Sequence, residues 1–544
     1  MDLFKIKNSK FFIFFTLGLL IFLQGIFILP VLDRDEARFA TATKNMLETG
    51  DFIDIELEGV KRYKKPIGIY WAQSFTTNLL GSEPYDKIWT YRIPSLLGIM
   101  LSILLVFYST KNIYGENIAS TAIVLLSCSF LLITEIHQAK SDGLLFLCIN
   151  VCNFLLLYSL KNKGRNIKRN TILLFWIFLA FGTLIKGPII FIYCIVPVIV
   201  YTLFKGNNEL KIFFKNYLGY IVYFSIVLPW FILITIKSDW FFWKESLGHD
   251  LFKKIVSSQE SHGFLPGYYF ISFYLFFWPG CIYLFPVIRS FYAKIKKFEI
   301  NQENLFLVCI IVPGYLVYEL IPTKLPHYIL PIYPALSILV AVFLNENSKN
   351  TQILLRPIYL PLFIVFPILI VSIHTFAIYE FSFFDLYFFI LIFLFVVIIL
   401  FCLNFFKRKK LKEFLMFALL FQTLNYFSII YYLNPNLEKL WIAKNISNYS
   451  DLYKNYEIFH YGFNEPSLVF MMGHKSKRKS IEDLKDIINN KKEFLFFVSG
   501  HESDEFMKFS RDNENFKFVE SFIGYNYSQG KYISTSVFKN HGSH

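Results

Sequence analysis

Residues 386–406 read LYFFILIFLFVVIILFCLNFF, twenty-one positions without one charged side chain, and the basic cluster 407–412, KRKKLK, follows at once. A stretch of that length, coiled as a helix, is enough to cross a hydrocarbon core of about 30 Å, and a cationic cluster at its end is the signature of a loop facing anionic lipid. The same pattern recurs outward from this segment. Apolar runs of about 17 to 23 residues start at Phe11, Ile93, Ile118, Gly143, Thr171, Pro188 and Tyr217, then at Tyr268, Leu305, Tyr328, Pro357, Leu386 and Phe414. The expectation is a polytopic α-helical membrane protein with about 13 transmembrane helices.

Composition agrees. Of 544 residues, 55% are hydrophobic and only 17% charged, with 65 phenylalanines and a mean hydropathy of +0.46. Soluble domains carry roughly 25% charged residues, so the polar surface is too small to cover a water-soluble globule. Soluble enzymes, disordered scaffolds and disulfide-rich secreted folds are excluded. The net charge of +14 sits in short clusters between apolar runs, such as 161–169 and 407–412, and so speaks for cytoplasmic loops and against nucleic acid. All seven cysteines (Cys128, Cys148, Cys152, Cys194, Cys281, Cys309, Cys402) lie in apolar runs, which argues against a disulfide framework or a thiolate metal site.

The first run follows Lys5, Lys7 and Lys10 but is long and lacks a small-residue cleavage site, so it reads as a retained anchor. Placing the basic N-terminus in the cytoplasm and alternating assigns every later loop. Those expected inside (111–116, 161–170, 205–215, 289–304, 345–356, 407–412) are mostly basic, as the positive-inside rule requires. The tail, 434–544, then falls outside the cytoplasm. Its short apolar runs at 456–460, 493–498, 516–522 and 532–538 read as strands and 480–490, which opens with a Ser-x-x-Asp cap, as a helix. The expected organisation is a membrane domain over 1–433 with a long outside loop at 33–91, and a small extracytoplasmic α/β domain over 434–544.

Four polar groups fall on that outside face. The first loop opens Asp33-Arg34-Asp35-Glu36-Ala37-Arg38, continues as an amphipathic helix through Leu47, turns at Gly50 and reaches Tyr63-Lys64-Lys65-Pro66 and Tyr70-Trp71. Asp142 sits in Gln138-Ala139-Lys140-Ser141-Asp142-Gly143; Lys186-Gly187-Pro188 and Pro322-Thr323-Lys324-Leu325-Pro326-His327 mark two further turns. Each has a plainer explanation alone: acids at helix N-termini are favoured by the dipole, and lysines at helix ends snorkel. A topology rule that ignored them nevertheless gathers all four. Carboxylates that can take a proton, beside Arg and Lys that can hold a phosphate, suit displacement of a phosphate leaving group. A polyprenyl phosphate leaves without a general acid, metal is then optional, and a single displacement inverts the anomeric centre.

Asp35-Glu36-Ala37-Arg38-Phe39-Ala40, Met46-Leu47-Glu48-Thr49-Gly50-Asp51, Lys65-Pro66 and Tyr70-Trp71 resemble the first periplasmic loop of the aminoarabinose transferase and protein mannosyltransferase superfamily of C-type integral-membrane glycosyltransferases. The resemblance continues in Lys186-Gly187-Pro188, Leu228-Pro229-Trp230, Gln259-Glu260-Ser261-His262-Gly263, Trp278-Pro279-Gly280, Lys324-Leu325-Pro326-His327-Tyr328 and Tyr461-Gly462-Phe463-Asn464-Glu465-Pro466-Ser467. It implies a bacterial inner-membrane enzyme that moves a sugar from a polyprenyl (undecaprenyl) phosphate carrier to an envelope acceptor such as lipid A. Protein O-glycosylation is the nearest alternative, and a transporter or flippase a more distant one. By the same resemblance Asp35 and Asp142 are the catalytic candidates, Arg38 and Lys65 hold the carrier phosphate, and Glu36, Lys186, His262, Lys324 and His327 are further substrate-binding candidates. Relatives often have Glu-Lys-Pro where this chain has Lys64-Lys65-Pro66, so no cofactor or metal is assigned, although His249 and His262 are conceivable ligands.

Overall fold

The computed structural model describes residues 20–540 except 21, 166, 207–208, 254–265, 349–358, 382, 409, 454–455, 474–475, 479–492, 501 and 512–515. Among the described residues nine helices are long and apolar enough to cross a membrane, or ten if the bent pair Glu116–Ser127 and Phe130–Ile136 is one span. The thirteen runs of the sequence map onto these ten and three others. Of the run from Phe11, residues 11–19 and 21 lie outside the described residues, and that from Pro188 forms the shorter apolar helix Ile189–Lys205. The run from Tyr268 is broken into Tyr268–Phe276, a 3-10 turn at Gly280–Tyr283 and Leu284–Lys296. Thirteen is therefore not the number of full-length spans that the described structure presents. Pro279 and Gly280 stand at the last break, where the proline supplies no backbone donor and the glycine favours no helix.

Broken helices at membrane depth need partners for their freed backbone groups. At the 66° bend after Ser127 the carbonyl of Cys128 accepts from the Gln422 side chain at 2.8 Å, and Ser129 Oγ donates to the Phe276 carbonyl at 2.8 Å. Close helix approach is secured by small residues: a Cβ on Gly143 would lie 2.7 Å from Ser95 Cα, and one on Gly98 only 2.3 Å from the Gly143 carbonyl oxygen. Those two glycines let Ile88–Tyr114 and Asp142–Lys161 pack with their backbones nearly touching. Aromatics fill much of the remaining core, as where Trp278 lies against Phe363, Phe366 and Phe421.

Beyond the last span lies a five-stranded sheet in the order β4 (Ser476–Arg478), β3 (Glu457–Tyr461), β5 (Phe494–Ser499), β7 (Lys531–Asn540), β6 (Phe516–Asn526). β3 runs parallel to β4 and β5, while β7 is antiparallel to β5 and β6. The period-2 rule divides β5 between two cores: Leu495 and Phe497 join Ile442, Ile446 and Leu468, while Phe494, Phe496 and Val498 join Phe506, Phe516 and Phe538. Helices Ile442–Leu452 and Pro466–Met472 cover the first face and Glu502–Arg511 the second, a small α/β sandwich. The helix expected at 480–490 lies outside the described residues.

Candidate functional site

The first loop carries the helix Asp35–Thr49, the hairpin of β1 (Glu56–Leu57) and β2 (Val60–Lys61), and the helix Gly68–Leu80. The first helix ends where the sequence suggests, because Gly50 adopts φ 71° and returns its N–H to the Met46 carbonyl. Its start is pinned by Glu36. Arg92 Nε and Nη2 donate to the two carboxylate oxygens at 2.8 and 2.9 Å, and the N–H groups of Leu32 and Ala139 add bonds of 2.8 Å each. The rest of the Arg92 guanidinium donates to the carbonyls of Ile26, Leu29 and Pro30. Glu36 is 1% exposed and both its oxygens are hydrogen-bonded, so it anchors three segments.

One residue earlier, the Asp35 side chain is 49% exposed. Arg38 Nη1 stands 4.0 Å away. Burial pushes the carboxyl up, but Lys140, His327, Arg62 and Arg38 outweigh it and hold Asp35 below its ordinary value. These four cations or potential cations come from three places in the sequence, and they put the first loop, the 137–141 turn and the start of the Pro326–Glu346 span around one carboxylate.

Asp142 lies behind this wall. Its Oδ1 receives Lys186 Nζ at 2.5 Å, with both side chains less than a tenth exposed. The dipole rule accounts for each end separately, since Asp142 opens one helix and Lys186 closes another at Gly187. It does not account for their meeting. Lys140 Nζ donates to Glu135 Oε1 at 3.0 Å, His327 Nδ1 stands 3.8 Å from the same oxygen, and Lys186 lies 5.7 Å over the Tyr328 ring. Burial works against the charge of Lys140, yet Glu135, Asp142 and Asp35 together raise its pKa.

Lys65 Nζ pairs with Asp250 Oδ2 at 2.9 Å, both side chains less than a fifth exposed. Lys324 is otherwise employed than expected. It is 2% exposed and its ammonium donates to the carbonyls of Tyr318, Glu319 and Ile321, closing the C-terminus of Gln302–Leu320. His262 and the motif 259–263 lie outside the described residues. His249 sits 2.9 Å from Glu245, and among the described residues no group of three or more His, Cys, Asp or Glu side chains stands ready for a metal.

Three members of this assembly lie in none of the quoted motifs, namely Glu135, Arg62 and Arg92, and Lys140, inside the 138–143 motif, was not named as a site residue. Glu135 had a signal, because an acid inside an apolar run is costly and has to have a partner. Arg92 had the same signal at the mouth of the Ile93 run, whereas Arg62 carried none beyond its place beside Tyr63-Lys64-Lys65.

The sequence model of the family described as Dolichyl-phosphate-mannose-protein mannosyltransferase matches residues 64–233. An uncharacterized protein of Aquifex aeolicus is 26% identical over 354 residues, 62% of this chain and 65% of that one. The undecaprenyl phosphate-alpha-4-amino-4-deoxy-L-arabinose arabinosyl transferase of Photorhabdus laumondii is 26% identical over 338 residues, 60% of this chain and 58% of that one. The chain thus matches about six-tenths of the length of these curated relatives. In three dimensions it superposes on the crystal structure of ArnT from Cupriavidus metallidurans bound to undecaprenyl phosphate with a TM-score of 0.73 and 16% identity, covering 98% of each chain. Sequence and fold point the same way: this chain resembles the aminoarabinose transferases and the protein mannosyltransferase-like enzymes in sequence, and its fold is that of the ArnT structure.

Proposed function

We propose that this chain, with the fold and sequence likeness of the C-type membrane glycosyltransferases, transfers a sugar from a polyprenyl-phosphate carrier to an envelope glycolipid of the lipid A kind. The observation that carries this reading is Asp35, half exposed and held ionised by the charges of Lys140, His327, Arg62 and Arg38. Arg38, Arg62, Lys140 and Lys186 stand against Asp35, Glu135 and Asp142, so the group has one more cation than carboxylates. A phosphodiester-linked sugar carries one negative charge and would balance it. The name of the Photorhabdus relative supports an undecaprenyl-phosphate pentose donor, and that of the Cupriavidus structure supports the carrier.

In this reading Arg38 and Lys65 hold the carrier phosphate, with Arg and Lys charge stabilising it as the glycosidic bond breaks. Asp35 orients the acceptor hydroxyl or phosphate and takes its proton, attack comes from the face opposite the phosphate, and the anomeric centre inverts. Lys186 and His327 line the same wall as substrate-binding groups, and Asp142 acts by holding Lys186. We assign the membrane domain to 1–433, with 33–91 as the catalytic loop, and an extracytoplasmic domain to 434–544, in the inner membrane. The description of the matching family favours a second reading, sugar transfer to protein. Mass spectrometry of envelope lipids and proteins with and without the chain tests both: a sugar mass lost from lipid supports the first, one lost from protein the second, and no loss from either removes the transferase reading.

A further inference from the structure

Arg34, the residue before Asp35, has φ 68° and ψ −113°. That is the first central position of a type II′ turn, which glycine fills at no cost and a residue with a Cβ does not. The described structure shows what holds it there. The Asp33 N–H donates to the Tyr527 hydroxyl at 2.7 Å, the Ser467 N–H donates to Asp33 Oδ1 at 3.1 Å, and the Arg34 guanidinium donates to the Ser528 carbonyl. Every one of these partners lies more than 430 positions away, in the C-terminal sheet domain.

The partners are themselves rigid. Tyr527 and Ser528 form the tip between β6 and β7, where Asn526 Oδ1 accepts from the N–H groups of Ser528 and Gln529, and Glu465 accepts from the side chains of Asn526 and Gln529. Ser467 lies in the helix Pro466–Met472, whose Phe470 packs with Val31, Ala37, Ala40, Tyr91 and Ala139 in a small apolar cluster of its own. Lys44, further along the first-loop helix, donates to the Phe470 carbonyl at 3.1 Å. A polar tip and an apolar seat therefore grip the same turn from two sides.

We propose that the C-terminal domain is a positioning clamp for Asp35, with Tyr527, Ser467 and Asp33 as positioning residues that keep the turn at Arg34 in its strained form. This rests on the transferase reading for its consequence, though not for its geometry. Without the clamp Arg34 relaxes to an ordinary backbone conformation, the helix start rotates, and the Asp35 carboxylate leaves its ring of cations.

The test uses the full chain in nanodiscs and compares wild type, Asp33→Ala/Tyr527→Phe, and the same double variant carrying Arg34→Gly. Amide hydrogen exchange at residues 35–38 is read without substrate, and transfer rate and carrier-lipid KM are read with a polyprenyl-phosphate sugar. The double variant should exchange faster at 35–38 and turn over about tenfold more slowly, as for a misplaced reacting group, with KM little changed. Arg34→Gly, which adopts the turn without help, should restore both, whereas a merely structural loss would not be rescued by it. Slow exchange in β3 and β5 shows that the sheet is intact; if it is lost, Tyr527→Phe with and without Arg34→Gly makes the same comparison. Unchanged exchange, unchanged turnover, or failure of glycine to rescue overturns the clamp. The predicted exchange response in a protein that transfers nothing supports the clamp and refutes the transferase reading.

Discussion

Two halves of the polar assembly are built oppositely. Around Asp35 the wall is open: a half-exposed carboxylate, a guanidinium at 4.0 Å, and charges that act across space. Below it, Glu36–Arg92 and Asp142–Lys186 are sealed, at 2.5 to 2.9 Å and almost without exposure. The sealed pairs pay for desolvation with full hydrogen bonding and fix where the helices begin. The open wall keeps its carboxylate half exposed. In the proposed reading, structure and chemistry are divided between neighbouring residues, Glu36 serving the first and Asp35 the second.

The sharpest way to break this division is at the sealed end. Glu36→Gln leaves Arg92 buried without its counter-charge, which costs about 3 to 5 kcal/mol for a broken buried pair. The expected outcome is loss of folded protein, read as a lower melting temperature in detergent and poor recovery from membranes. A Glu36→Gln protein as stable as wild type but inactive would move Glu36 to the chemical side.

Next comes the open end. Asp35→Asn keeps size and most hydrogen bonding but cannot take a proton, so transfer should fall about 100-fold or more while the melting temperature and carrier-lipid binding hold. Asp142→Asn should show the reverse emphasis, a measurable drop in stability from the loosened Lys186 and a smaller loss of turnover. If Asp142→Asn abolished transfer at unchanged stability while Asp35→Asn retained it, the two roles would exchange.

A smaller effect belongs to the carrier phosphate. Truncating Arg38 or Lys65 to alanine should weaken polyprenyl-phosphate binding by roughly 1.5 to 3 kcal/mol, the worth of a charge-assisted contact. Lys65 carries the sharper question because Asp250 already pairs with it. Equal lipid affinity in wild type and both variants, measured by titration in nanodiscs, would remove the phosphate from this wall.

The sequence made the membrane class, the end of the first helix at Gly50, and the four polar groups legible, because each depends on local pattern: apolar run length, a glycine cap, charges at run ends. It also brought those groups to one face, since a topology rule needs only parity and charge. It did not separate Glu36 from Asp35, because which of two adjacent acids turns inward depends on Arg92, 56 positions away. Lys324 was no more legible, for the same reason: a lysine between two prolines does not reveal the carbonyls it closes. Nothing in local pattern distinguishes a paired charge from an available one, and that distinction is what makes a site.

The smallest effect expected concerns Asp33, at the seam between the open wall and the C-terminal domain. Burial raises its carboxyl from the ordinary 3.8 to about 6, with the Glu465 carboxylate pushing the same way and the bonds from Ser467 and Tyr527 opposing. A raised carboxyl binds its proton more tightly folded than unfolded, so this group's contribution to docking is fully present below about 3.8 and is lost as pH rises through about 6. Asp35 works with the opposite sign, since its lowered carboxyl stabilises the fold above the ordinary carboxylate value and loses that contribution only in stronger acid. Between pH 5 and 7 Asp35 should therefore stay ionised and constant while Asp33 titrates. Limited proteolysis of the C-terminal domain should run slower at pH 5 than at pH 7, after correction for the protease's own pH dependence. Asp33→Asn, neutral throughout, should flatten that difference. If wild type and Asp33→Asn shared the same pH dependence, the titrating group at the seam would have to be sought elsewhere.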